Sequence, residues 1–183
     1  MVRLTIDGTP VSVPEGTTIL NAAREAGITI PTLCELKGLN EIGACRVCVV
    51  KVEGEDRFPA SCTTPVAEGM EVRTNTPEVV TARRSNVKMI LSEHRSECTS
   101  CLRADTCALQ QISRDLGAWN LPFPSNQTKA GDWDHDFPLR RDSSKCIKCM
   151  RCVSVCEKNQ HCAVWDFTGT GPHMKVTVRE GLP

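Results

Sequence analysis

A chain of 183 residues in which 22 Lys and Arg balance 22 Asp and Glu carries no net charge, so no global basic field exists to draw in nucleic acid or an anionic membrane. No apolar run is long enough to span a bilayer. Twelve cysteines point instead to several small modules, each built around ligands rather than around one large core.

Val2, Leu4 and Ile6 alternate with polar residues, Asp7-Gly8 makes a turn, and Val11 and Val13 resume the alternation, which predicts a β-hairpin. A helix follows over GTTILNAAREAGI, with Thr17 or Thr18 as N-cap and Gly27 as the stop. Its apolar face is either Leu20, Ala23 and Ala26 or Ile19, Ala22 and Ala26. CVVKVEGEDRFPAS predicts a strand, a turn at Glu53-Gly54 and a second short strand, and MEVRTN a last one. Residues 1 to about 75 are thus expected to form a small mixed sheet with one helix packed on it.

Thr76-Pro77-Glu78 is a strong helix start: a capping hydroxyl, proline at the first position, and an acid at the positive end of the dipole. Val80, Val87, Ile90 and Leu91 recur at helical spacing, and the helix is expected to end near Ser92 and deliver His94 just beyond it. A further helix is expected from Asp105 or Thr106 to Leu116, with Leu109, Ile112 and Leu116 on one face and Gly117 as terminator. Residues 119–142 lack periodicity and read as an ordered linker, with the charges of 132–136 on a solvated loop. CAVWDF and HMKVTV then predict two strands around the turn TGTGP.

The cysteines fall in three tight sets with short fixed gaps, the opening MVRLTIDGTPVSV shows no export signal, and bridges usually join distant segments. Metal ligation in a reduced, cytosolic chain is therefore expected rather than disulfides. Cys34, Cys45, Cys48 and Cys62 follow C-x10-C-x2-C-x13-C, a set that suits zinc or iron equally on spacing alone. Gly43 and Ala44 beside Cys45 let backbone N–H groups approach an inorganic sulfide. His94, Cys98, Cys101 and Cys107 follow H-x3-C-x2-C-x5-C, again open to zinc or to a cluster.

Cys146, Cys149, Cys152 and Cys156 follow C-x2-C-x2-C-x3-C, the run of bacterial ferredoxins, in which the fourth cysteine ligates the other of two clusters. Cys156 is thus expected to point away from the iron held by the first three, toward a second cubane whose own motif does not follow in this chain. The chain is accordingly expected to be a fragment. The alternative makes Cys156 or Cys162 the fourth ligand of a single cubane, and Cys162 otherwise reads as a buried, apolar-like thiol.

These motifs, in this order, resemble the accessory iron–sulfur region of iron-iron hydrogenases over essentially the whole chain. Related arrangements occur in the small diaphorase subunit of bidirectional NAD-linked hydrogenases, in some NAD-linked formate dehydrogenases and in the complex I large subunit. The presence of Cys156 moves the resemblance toward the hydrogenase and diaphorase branch. It implies an α+β chain: a β-grasp [2Fe–2S] ferredoxin-like domain over 1–76, a helical [4Fe–4S] segment over 77–118, the linker 119–142, and a partial bacterial-ferredoxin-like 4Fe–4S domain over 143–183.

The implied cofactors are one [2Fe–2S] cluster on the first set and two [4Fe–4S] clusters on the second and third, with a further [4Fe–4S] if the chain continues. The implied function is an electron relay feeding or draining an iron-iron hydrogenase active site in residues not present here. The implied partners are that downstream catalytic domain and a flavin- or NAD-binding diaphorase-type subunit or a ferredoxin. No substrate-converting site is expected within these residues, and no nucleotide site, because Gly169 and Gly171 lack a following helix. Lys145, Lys148 and Arg151 interleave the third set and are candidates for tuning its potential. A scaffold stabilised by zinc is the competing class.

Overall fold

The computed structural model describes residues 1–120 and 141–179. The expected linker 119–142, with its charged stretch 132–136, therefore lies largely outside the described residues. The chain divides into two compact units, Met1–Asn86 and Val87–Pro183.

In the first unit, β1 (Val2–Ile6) and β2 (Thr9–Val13) form the expected antiparallel hairpin. Asp7 and Gly8 both have positive φ, 49° and 83°, the signature of a type I′ turn that matches the twist of the strands. β4 (Glu71–Arg73) pairs parallel to β1, and β3 (Lys51–Val52) pairs antiparallel to β4, giving the sheet order β2-β1-β4-β3. The second short strand expected after Glu53-Gly54 contracts to one bridge, Val49 with Ala60.

α1 (Ile19–Glu25) starts at Thr18, whose hydroxyl accepts the N–H of Asn21 at 3.3 Å. It ends in a Schellman motif: the N–H of Gly27 donates to Arg24 O at 3.0 Å and that of Ile28 to Ala23 O at 2.8 Å. Both expected faces are buried, since Ile19, Leu20, Ala22 and Ala23 are all inside and Ala26 is half-buried. They pack with Leu4, Ile6, Val13, Val50 and Val72 in a core that also contains Cys48 and Cys62. The third and fourth cysteines of the C-x10-C-x2-C-x13-C set are thus core residues.

α2 (Pro77–Glu93) begins as expected, with the hydroxyl of Thr76 accepting from Val79 N–H at 3.4 Å. Its buried stripe is Val79, Arg83, Val87 and Leu91, while Val80 and Ile90 are only half-buried. The stripe shifts because Arg83 occupies a core position: its Nε and Nη2 donate to the carbonyl of Val49 at 3.1 and 2.7 Å. Asn86 donates to Arg46 O at 2.7 Å, so the first half of α2 is pinned to the segment between Cys45 and Cys48. Arg83→Ala leaves the buried Val49 carbonyl without these donors. It should cost the unit about 1–3 kcal/mol, read as a thermal midpoint lower by roughly 4–8 °C per kcal/mol.

In the second unit, α3 (Ala108–Asp115) starts later than Asp105 or Thr106. Residues 101–106 are taken up by turns, with Ala104 N–H donating to Cys101 O at 3.0 Å and Thr106 N–H to Arg103 O at 3.1 Å. Cys107, extended at φ −85° and ψ 110°, becomes the N-cap. Leu109 and Ile112 are buried, Leu116 is half-buried, and Gly117 terminates as expected. α4 (Arg151–Lys158) and the antiparallel pair β5 (Trp165–Thr168) and β6 (Lys175–Val178) complete the unit. The two strands were expected; the helix carrying Cys152 and Cys156 adds to the reading from sequence.

Candidate metal centres

All twelve cysteines are free thiols. Among the described residues, no three His, Cys, Asp or Glu side chains gather closely enough to hold a single ion. The first set instead comes together as two pairs. The N–H of Cys45 donates to Cys34 Sγ at 3.5 Å, and Cys34 and Cys45 also hydrogen-bond through their side chains. Cys48 Sγ and Cys62 Sγ share a hydrogen bond at 3.4 Å.

Within each pair the hydrogen bond moves both thiols. Cys34 and Cys62 are pushed up, while their partners Cys45 and Cys48 are each held down to about 6 by the bond they receive. Each pair therefore presents one thiolate near neutral pH, the ligating form. Two pairs suit a binuclear cluster with two cysteines on each iron, whereas one tetrahedral zinc asks all four sulfurs to face a single point.

The loop is shaped for this. Gly43 has φ 63° and its N–H acts on Cys62, and Arg46, between Cys45 and Cys48, has φ 50° despite its side chain. Cys45 accepts further from the N–H groups of Val47 and Leu33. Around the loop, buried Asn40 donates to Cys34 O at 2.6 Å, and Ser61 donates to Cys48 O from Oγ at 2.8 Å. Glu35, only 5% exposed, takes both ends of the Arg24 guanidinium at 2.9 and 2.8 Å, a fork that ties α1 to the residue after Cys34. Sequence reasoning missed Glu35, Asn40 and Arg83, since nothing but their burial distinguishes them, and Arg24, which only its pairing with Glu35 marks.

The second set is arranged differently. Cys98 opens a 3-10 turn, Cys98–Ser100, Cys101 closes it by donating its N–H to Cys98 O at 3.3 Å, and Cys107 caps α3. All three are half-buried. His94 lies just past α2, with a buried Nδ1 that lacks a hydrogen-bond partner. Burial chiefly, then the charge of Lys145, lowers its pKa, which favours the neutral imidazole that a metal requires. An unmet ring nitrogen in a half-buried histidine, four residues before Cys98 in the chain, suits a ligand.

The residues around His94 are fastened to the third set one after another. Glu93 forms an ion pair with Lys148, the His94 ring interacts with the backbone of Lys145, and Arg95 N–H donates to Ser144 O at 2.9 Å. The third set itself has Cys146 and Cys149 on the loop and Cys152 in the first turn of α4, close enough that Cys146 and Cys149 both act on the Cys152 thiol. Lys148 and Met150 take positive φ, 54° and 62°, and Lys148 N–H donates to Cys146 Sγ at 3.4 Å. Cys156 lies one turn further along α4, where its Sγ accepts the N–H of Val164 at 3.2 Å. Cys162 is exposed rather than buried, and donates to Gln160 O at 3.1 Å.

Comparison with known proteins finds three family models along the chain. Residues 1–77 match the 2Fe-2S iron-sulfur cluster binding domain, residues 83–120 the NADH-ubiquinone oxidoreductase-G iron-sulfur binding region, and residues 139–159 the 4Fe-4S binding domain. The chain is 41% identical over 176 residues to the NADP-reducing hydrogenase subunit HndD of Solidesulfovibrio fructosivorans, matching 93% of this chain but 30% of that protein. The NAD-reducing hydrogenase HoxS subunit gamma of Cupriavidus necator is 31% identical over 188 residues, covering 97% of this chain and 75% of that subunit. A chain in the crystal structure of an NAD+-reducing [NiFe]-hydrogenase in the H2-reduced state superposes with a TM-score of 0.83 at 26% identity, over 98% of this chain and 76% of that one. With paired thiols, an unmet histidine and a cysteine-bearing helix in the corresponding segments, the chain belongs to the family of NAD-reducing hydrogenase and NADH-quinone oxidoreductase G-like iron–sulfur subunits.

Proposed function

We propose that the chain is an electron relay working in a reducing cytoplasm, organised as 1–76, 77–118, the connection 119–142, and 143–183. In this reading Cys34, Cys45, Cys48 and Cys62 hold one [2Fe–2S] cluster, and His94, Cys98, Cys101 and Cys107 a [4Fe–4S] cluster. Cys146, Cys149 and Cys152 hold a second [4Fe–4S], while Cys156 completes it or faces a further one. Such clusters, when bound, accept and release single electrons with little change of geometry. The chain's part is to hold the sulfurs at fixed separations, aim backbone N–H groups at them and limit water.

The observation that carries the reading is the pairing of Cys34 with Cys45 and of Cys48 with Cys62. It favours a binuclear iron site over a zinc scaffold. The test is elemental and sulfide analysis of anaerobically prepared chain: iron with matching acid-labile sulfide and a brown colour are expected, and zinc with essentially no iron would sink the proposal.

The catalytic end lies outside these residues. The 41% identity to a hydrogenase subunit of which this chain spans 30%, together with Cys156, supports an iron-iron hydrogenase domain as the electron partner. The coverage of 75% of a HoxS subunit favours a second reading, an iron–sulfur subunit serving a separate flavin- and NAD-binding subunit. Reading the coding sequence beyond Pro183 separates the two, because only the first requires a large downstream domain with cysteine motifs for a diiron site. Among the described residues no helix is long and apolar enough to cross a membrane.

A further inference from the structure

Of the cations interleaved with the third set, Lys148 is not well placed to act on its sulfurs. The ammonium of Lys148 is paired with Glu93 and also donates to Pro172 O at 2.9 Å. Its field at the sulfurs is largely offset by that carboxylate. Arg141, five residues before Cys146, is held differently. Its Nη1 donates to the carbonyl of buried Val176 at 2.5 Å, its guanidinium carbon stacks 5.1 Å from the Trp165 ring centroid, and its Nη2 reaches Cys146 Sγ at 3.6 Å. Strand β6 and an aromatic face from β5 thus fix the plane of the fork and aim one N–H at a ligand sulfur.

From this geometry we infer that Arg141 is the residue that sets the potential of the third centre, by donating a charge-assisted hydrogen bond to Cys146 Sγ from a guanidinium pinned by Trp165 and Val176. The inference rests on the proposed ligation by Cys146, Cys149 and Cys152. Entry of one electron, with no proton, makes the sulfurs more negative, and a fixed cation bonded to one of them favours the reduced form. The same charge acts on Cys152, opposing the effect of its burial. A lysine cannot reproduce the contact, because it lacks the planar fork that bonds Val176 and Cys146 at once while stacking on the indole.

The test is a redox titration of the anaerobically prepared chain followed by electron paramagnetic resonance. Arg141→Gln should lower the reduced-to-oxidised ratio of the third centre about tenfold at a fixed potential, which is about 59 mV for one electron. Arg141→Lys and Trp165→Leu should move it the same way by less, and the other two centres should stay put. Unchanged potentials with iron and sulfide intact would overturn the inference. If Arg141→Gln prevents assembly, the other two variants decide by the same criterion. Failure of the underlying ligation is distinct: the unaltered chain would then show no [4Fe–4S] signal from this set.

Discussion

A chain carrying Cys48→Ser is expected to lose the first iron–sulfur centre, keep the other two, and unfold its Met1–Asn86 unit about 10 °C lower. Cys48 is 1% exposed and belongs to the core that packs α1 on the sheet. Its sulfur pairs with Cys62, and its carbonyl accepts both donors of Ser61. Serine supplies no thiolate, and it buries a hydroxyl among apolar neighbours at a cost of about 1–3 kcal/mol. Loss of the metal crosslink adds to that, since ligand binding to the folded state is folding free energy. Iron and sulfide analysis reads the first effect and thermal unfolding the second. Cys162→Ser, at an exposed thiol, should change neither. Full iron content in the Cys48 variant would mean that the paired thiols have another purpose.

The elements legible in the sequence were those whose signal is local. Asp7-Gly8, the Thr18 cap, Gly27, Thr76 before Pro77, and Gly117 all act through a backbone conformation or a bond within a few residues, and all were found where expected. In α2 Val87 and Leu91 are buried as the spacing implied, but Val79 and Arg83 complete the buried stripe in place of Val80 and Ile90, and Arg83 counts as polar in any periodicity. Only tertiary structure shows that the Val49 carbonyl needs its donors. The start of α3 was misread because the turns that space Cys101 from Cys107 absorb Asp105 and Thr106, residues that elsewhere mark a cap.

The ligand candidates were legible as spacing, whereas the loops that aim them were not. Arg46, Lys148 and Met150 occupy left-handed conformations that favour glycine. In these loops the conformation is maintained by N–H groups directed inward, such as Lys148 N–H on Cys146 Sγ. No residue preference announces that. Arg141 was hidden for a related reason: its sequence neighbours mark it as linker charge, and its partners Trp165 and Val176 come from strands far along the chain.

His94→Cys is expected to preserve the second centre and lower its potential by on the order of 100 mV or more, as the higher potentials of histidine-ligated Rieske centres over cysteine-ligated ones suggest. Imidazole binds as a neutral ligand and thiolate as an anion, so the exchange adds a negative charge next to the iron and penalises the arriving electron. The backbone should tolerate the change. Glu93 and Arg95, on either side, remain fastened to Lys148 and Ser144, so the shorter side chain starts from an unmoved Cα. The imidazole's buried Nδ1 has no partner to lose. A redox titration followed by electron paramagnetic resonance measures the shift, and iron analysis establishes that the centre survives. His94→Ala, which supplies no ligand, should instead deplete iron from this centre alone. An unchanged potential in the cysteine variant, with full iron, would remove His94 from the ligand set and leave its buried nitrogen as a feature of packing at the end of α2.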